Sequence, residues 1–356
     1  MRIYLVITLV LITYTSKAQQ FLKYNNEFIN LGAGARSIGM AGSVIATNED
    51  VNSAYWNPAG LNGVTDKVQA SLMHSEYFKG IVNYDHFAIS YRIDTSSIFA
   101  FTLLRSGIDN IQNTLDLFDV NGNIDYSRIR YFSVADYAFL FTYSRKLNAN
   151  FRYGASLKII YRKQGEFASA MGFGFDAGIQ YKKGEWLMGA NARDITTTFN
   201  FWTYHEDKLK VTNPADTVQN IIPDETIDLT APQVHVGIAR KFLLYNKLSI
   251  CPEIGLDLTF DGKSNSIIKS NFANVAPHLG VELNYANICF LRAGVGSIQE
   301  IPDFNGSSIN AQPSVGIGLR FGRVCIDYAI TSLSKNAIAM YSNIFSLRFG
   351  VSDWKK

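Results

Sequence analysis

The chain has 356 residues, 47% of them hydrophobic, with 33 Lys and Arg against 30 Asp and Glu. The formal charge of +3 falls to about +1 (3 − 2) without Arg2 and Lys17 of the leader, which gives no case for nucleic-acid binding. A mean hydropathy of +0.01 excludes a helical membrane protein and fits a barrel whose strands turn half their side chains to a lumen.

Residues 1–18 read as a secretory signal peptide. Arg2 supplies the positive start, Ile3–Tyr14 is an apolar run too short to cross a bilayer as a helix, and Ser16-Lys17-Ala18 places small residues for cleavage before Gln19. Residues 19–63 have a different texture, rich in Gly, Ala, Asn and Ser and without sustained alternation.

Residues 64–356 form the predicted barrel. Fourteen strands are expected, at about 66–78, 84–94, 96–107, 132–146, 149–163, 168–183, 185–199, 230–243, 246–261, 273–286, 287–298, 309–322, 323–332 and 341–351. The clearest is the sixth. Met171, Phe173, Phe175, Ala177, Ile179 and Tyr181 alternate with Gly172, Gly174, Asp176, Gly178 and Gln180. Period-two spacing puts the first set on one face and the second on the other. Bulk outside and Gly or polar residues inside is the pattern of a transmembrane antiparallel β-barrel. Unpaired backbone groups in hydrocarbon cost several kcal/mol each, so the sheet must close. Short connections (147–148, 184, 244–245, 286–287, 322–323) are expected on the periplasmic side. Long ones (108–131, 200–229, 262–272, 299–308) are expected outside. The closing strand carries Phe345, Leu347, Phe349 and Val351 on one face, an assembly-type signal, but the chain continues to Lys356 rather than stopping at a terminal Phe.

With aromatics facing lipid, the lumen receives Arg152, Lys158, Arg162, Asp176, Glu253, Asp257, Glu282, Arg320, Asp327 and Arg348. Both signs occur, which suits ion pairs with a plug or across the lumen better than a selective ion pathway. The histidines (His74, His86, His205, His235, His278) sit in no nucleophile–base motif, and no Gly-x-Ser-x-Gly is present, so no enzyme activity is predicted. Cys251, Cys289 and Cys325 have no metal or disulfide spacing; no metal site and no cofactor are expected.

The segment before the strands carries the most specific signal. Gly34-Ala-Arg-Ser-Ile-Gly-Met-Ala-Gly42 is followed by Ala46, Asp50, Ser53-Ala54 and Asn57-Pro58-Ala59-Gly60-Leu61. This segment resembles the start of the FadL-like outer-membrane barrels, and within them it is most similar to the PorV/PorQ family of the Bacteroidetes. The resemblance implies a fourteen-stranded barrel with an N-terminal hatch in its lumen, in the outer membrane of a Gram-negative bacterium. The hatch motif would comprise Gly32, Gly34, Arg36, Gly39, Met40, Gly42, Asp50, Asn57, Pro58 and Ala59. The glycines suit close backbone approach and left-handed turns, and Asn57 can cap a short turn with Pro58 in its first position.

The resemblance further implies work in, or beside, the type IX secretion system. Its partners would be translocon proteins or the C-terminal domains of secreted cargo, met through loops near 108–131, 200–229 and 299–308. The alternative is a FadL-like channel for hydrophobic small molecules such as fatty acids. Polar-to-apolar transitions within the lumen would favour that alternative, and few are evident in the sequence.

Overall fold

The computed structural model describes residues 25–119, 121–209, 226–262, 264–271, 273–303, 306–332 and 341–352. The expected signal peptide, most of the 200–229 insertion and the last four residues lie outside them.

Among the described residues the wall consists of fourteen antiparallel strands. They are β1 (Val68–Tyr77), β2 (Val82–Arg92), β3 (Ser97–Asn113), β4 (Arg130–Lys146), β5 (Phe151–Gln164) and β6 (Ala168–Lys183). Next come β7 (Trp186–Arg193 and Thr198–Tyr204) and β8 (Ile227–Thr230, Gln233–Arg240 and Phe242–Tyr245). The circuit continues with β9 (Leu248–Thr259), β10 (Asn274–Tyr285), β11 (Cys289–Asp303), β12 (Gly306–Phe321), β13 (Val324–Ser332) and β14 (Tyr341–Val351). Each strand pairs with the next, and β14 pairs back onto β1 from Val68↔Val351 to Glu76↔Asn343. The sheet is therefore a closed barrel with no free edge, as a hydrocarbon solvent requires.

Alternation places the faces as the sequence pattern implies. On β6, Met171, Phe173, Phe175, Ile179 and Tyr181 are exposed outward, while the intervening residues are buried against the interior. Tyr91, Tyr143, Tyr153 and Tyr181 stand outward near one end of the wall, where an interfacial aromatic girdle belongs. Lys67 Nζ lies 4.7 Å over the Tyr91 ring at that end. The six connections at this end are short (93–96, 147–150, 184–185, 246–247, 286–288, 322–323), so it is termed the turn end. The opposite, loop end carries 114–129, 205–226 and 260–273.

Several expected boundaries move. β3 runs on to Asn113 through a bulge at Ile108/Ile111, where Asn110 takes a left-handed φ of 61°, so the first long connection is shorter than 108–131. The expected loop at 299–308 is instead strand on both sides, with only residues 304–305 between β11 and β12. The 200–229 insertion contributes Thr198–Tyr204 and Ile227–Thr230 to the wall. Backbone pairing continues in these segments, where Phe201, Ile227 and Ile309 keep exposed apolar side chains, while Asp109, Asn110 and Gln112 break the alternation of β3.

Candidate functional site

Residues 25–64 lie inside the ring of strands, running from the loop end to the turn end before entering β1. Short helical turns punctuate them: Glu27–Leu31, α1 (Ala35–Ile38), α2 (Ser53–Trp56) and Pro58–Gly63. Gly32, Gly34 and Gly42 have φ of 97°, 84° and 77°, and α1 ends at Gly39. Between the turns, the backbone of this segment is bonded to wall side chains. Ala35 N–H donates to Ser346 Oγ at 2.6 Å, Val51 N–H to Gln69 Oε1 at 2.8 Å and Ala46 N–H to Glu253 Oε1 at 2.7 Å. Gln180 Nε2 donates to the carbonyls of Ile45 and Asn48, Asn191 Nδ2 to that of Trp56 and Arg193 to that of Tyr55.

Asn57 is extended (φ −155°) and Pro58 opens the following turn; Asn57 Oδ1 accepts the Ala59 N–H at 3.1 Å. Asn57 Nδ2 donates to Ile45 O at 2.9 Å and, across to β6, to Ile179 O at 3.1 Å. This approach needs a bare wall. A Cβ at Gly178 would fall on Asn57 Oδ1 and 3.0 Å from Pro58 Cδ. At Gly294 on β11 a Cβ would meet the Met40 backbone, 2.6 Å from its carbonyl oxygen. Gly178 and Gly294 are thus seats for the segment.

Most of the lumenal charges are paired, Arg162 with Asp136 at 3.0 Å among them. Arg36 reaches Glu282 at 2.9 Å; Glu282 also receives Arg292 at 2.7 Å, and Arg292 reaches Asp327 at 2.6 Å. Buried Lys158 lies 3.2 Å from Asp176 and 2.5 Å from Asp194. His235 Nδ1 and His278 Nε2 both face Asp257 Oδ1, at 2.5 and 3.3 Å, and His278 Nδ1 meets Ser43 Oγ at 2.7 Å. Asp50 pairs with Arg348, and Glu49 with Arg152 at 2.8 Å. Glu253 accepts from the segment alone, at Ala46 N and Thr47 Oγ1 (2.5 Å). Arg320 is exposed at the turn end, 5.2 Å over the Phe290 ring, at the rim of a polar cleft of about 490 Å³.

The sequence reading passed over Arg292, Arg193 and Asp194. Arg292 lies in register with Phe290 and Gly294 on the inner face of β11, so its alternation was legible. Asp194 had no such signal, because it stands where β7 breaks. Asp194 and Thr197 take left-handed φ of 52° and 64°, and Thr198 Oγ1 donates to the Asp194 carboxylate. β8 breaks at the same place, between Thr230 and Gln233, so the ladder joining the two strands is interrupted there. Lys158, Asp176 and Asp194 brace the gap from inside; Asp194 N–H also donates to Asp176 Oδ1 at 2.9 Å.

One expectation is overturned by the geometry. The lumen is not polar throughout. Met73, Tyr77, Tyr84, Leu104, Ala138, Leu140, Ile160, Ala329 and Ile344 face inward from β1–β5, β13 and β14. They pack on Phe28, Ile29, Ala35, Ile38 and Tyr55 of the segment in one buried apolar cluster. Single apolar residues among polar ones along a strand hide this cluster, because its members come from seven strands.

No protein-family model matches the sequence, and no curated protein matches it. Solved structures do match in fold. The CymD monoaromatic hydrocarbon channel superposes with a TM-score of 0.58 at 13% identity, over 91% of this chain and 99% of that one. The toluene transporter TbuX of Ralstonia pickettii gives 0.54 at 13% identity, over 90% and 98%. The toluene transporter TodX of P. putida gives 0.54 at 12% identity, over 90% and 99%. At such identity the likeness concerns fold alone. In fold the chain is a closed fourteen-stranded antiparallel β-barrel similar to those of these hydrocarbon channels and transporters.

Proposed function

We propose that the protein sits in a Gram-negative outer membrane and passes small hydrophobic molecules through its lumen, with residues 25–64 acting as the plug. The observation that carries this reading is the apolar cluster between the plug and the inner wall. A lumen built for ions or sugars would not bury Met73, Leu104, Leu140, Ile160 and Ile344 against its plug. The hydrocarbon channels and transporters that share the fold support the same reading. On it, a solute enters at the loop end and displaces apolar contacts of Phe28 and Ile29. It leaves past the plug, or sideways where β7 and β8 lose their ladder. The barrel does no covalent chemistry here.

The type IX secretion reading rests on the resemblance of residues 28–61. All three of its docking loops are shorter than their sequence suggested, and nothing in the fold adds support. One experiment separates the two. In a deletion strain, uptake of radiolabelled toluene and surface display of secreted proteins are measured together. Loss of uptake with unchanged display is expected; unchanged uptake with lost display would reverse the assignment.

A further inference from the structure

The plug is not held equally on all sides. Hydrogen bonds tie it to side chains or carbonyls of β4–β10, β14 and β1. On β11 and β12 its backbone is pressed against Gly294 and Gly316. Toward β2 and β3 the described residues make no such bond except at the turn end, where Arg92 donates to the carbonyls of Asn62 and Val64 and Asn62 donates to that of Ser96.

That side of the wall, with the bordering strands β1 and β14, carries polar atoms with no partner. Tyr84 Oη, both ring nitrogens of His86, Thr102 Oγ1, Ser71 Oγ and Ser342 Oγ are buried and make no hydrogen bond. They sit on four consecutive strands, β14, β1, β2 and β3, and face the lumen together. Elsewhere on the wall the described residues leave one such atom each on Asn191, Asn200, His235 and Asn310. A buried polar atom without a protein partner costs about 1–3 kcal/mol unless water or a ligand meets it, so a row of them marks a face suited to polar contact with a solute. Tyr55, the plug residue beside this part of the wall, meets Tyr77 and Tyr84 within the apolar cluster, and such contact has no preferred direction and can slide.

We infer that the solute path runs between the plug and the inner face of β2 and β3, bordered by β1, and that His86, Tyr84, Thr102 and Ser71 line it. This inference rests on the small-molecule reading above and names its route and solute class. From Arg92 to the loop end, no Asp, Glu, Lys or Arg faces inward on these three strands. The lining therefore offers apolar surface (Met73, Leu104, Ala88) with scattered neutral donors and acceptors. It suits an uncharged, mainly apolar molecule carrying one hydrogen-bonding oxygen, such as an aromatic or aliphatic alcohol. A carboxylate would arrive without a counter-charge.

The test is thiol accessibility in the folded protein, in a background with Cys251, Cys289 and Cys325 changed to Ser. Thr102→Cys reports the path. Thr142→Cys is the control, since Thr142 is equally buried but bonded to Ser156 at 2.8 Å on the anchored side. With neutral N-ethylmaleimide, Thr102→Cys should react about tenfold faster, as expected of a face that opens at lower free energy. Benzyl alcohol should slow that reaction, and benzoate at the same concentration should not. Equal rates at the two cysteines, or equal protection by benzoate, would overturn the inference. Toluene uptake in the same strains keeps the two proposals apart. Protein-dependent uptake with equal cysteine rates rejects this route alone, and protein-independent uptake rejects the function with it.

Discussion

Asn57 of the plug and Ile179 of β6, 122 residues apart in sequence, are joined by a single 3.1 Å bond from Asn57 Nδ2 to the Ile179 carbonyl. The bond takes a main-chain acceptor within the wall, as does that of Asn62 Nδ2 to the Ser144 carbonyl at 3.3 Å. It is possible only because Gly178, beside Ile179, offers no side chain to the approaching amide.

Asn57→Ala should therefore loosen the plug more than the barrel. It removes the bonds to Ala59 N, Ile45 O and Ile179 O, all in buried surroundings, at a cost of about 2–4 kcal/mol. Limited proteolysis should cut within residues 25–64 sooner than in the wild type, while the heat-modifiable band of the closed barrel on a gel persists.

Gly178→Leu tests the same contact from the wall side. The added side chain collides with Asn57 and Pro58, and overpacking of this kind costs about 1–3 kcal/mol or displaces the intruding element. Displacement is the expected outcome, seen as a raised single-channel conductance in planar bilayers. A conductance identical to the wild type would mean that the plug absorbs the clash without moving.

Lys158→Met should be more damaging than removing the whole group. It leaves Asp176 and Asp194 buried without their cation, which costs about 3–5 kcal/mol. The triple variant K158M/D176N/D194N should recover most of that loss in urea unfolding from detergent micelles. Because Asp194 shapes the interruption in β7, hydrogen exchange at residues 194–198 should rise in the single variant and fall back in the triple.

The turn at residues 93–96 predicts a pH dependence. Asp94 accepts the N–H groups of Ser96 and Ser97 at 2.6 and 2.8 Å, and the Ser96 hydroxyl as well. These bonds, the Ser96 backbone first, hold its carboxyl at about 2, below the ordinary 3.8. A depressed carboxylate stabilises the fold above its ordinary value, and the contribution disappears as pH falls toward 2. Between pH 4 and about 2, the wild type should lose thermal stability faster than Asp94→Asn, measured as the melting of the heat-modifiable band.

On the outer wall, Phe173→Arg should cost about 2–4 kcal/mol if the middle of β6 lies at the bilayer midplane. The same change at Lys183, at the turn end, should cost almost nothing. Equal effects at the two positions in lipid-based unfolding would contradict the assigned lipid face.

The strands were legible because each crosses a solvent boundary on both faces, so Phe173 and Gly174 carry opposite messages one residue apart. All fourteen were countable for that reason. The interruption of β7 was not, since neither Asp194 nor Thr197 is the glycine or proline that usually marks a break; tertiary contact with Lys158 and Thr198 fixes their left-handed turns. The apolar lining was hidden differently. Tyr84, Leu104 and Ile344 each look like an exception within their own strand, and only closure of the sheet brings the exceptions together. Asn57 stood out in the sequence as a turn former, but its second task, reaching Ile179, depends on a glycine more than a hundred positions away.

The pairing of Ala35 with Ser346, across 311 residues, together with that of Asp50 with Arg348, sets an order of events for biogenesis. The stretch that precedes β1 is bound by β14, at the far end of the strand order. Since β14 also zips to β1, the tail must already be tucked within the curling sheet when the final seam closes. A polypeptide that sealed early would trap its own beginning outside, so the last hairpin acts as the gate of assembly.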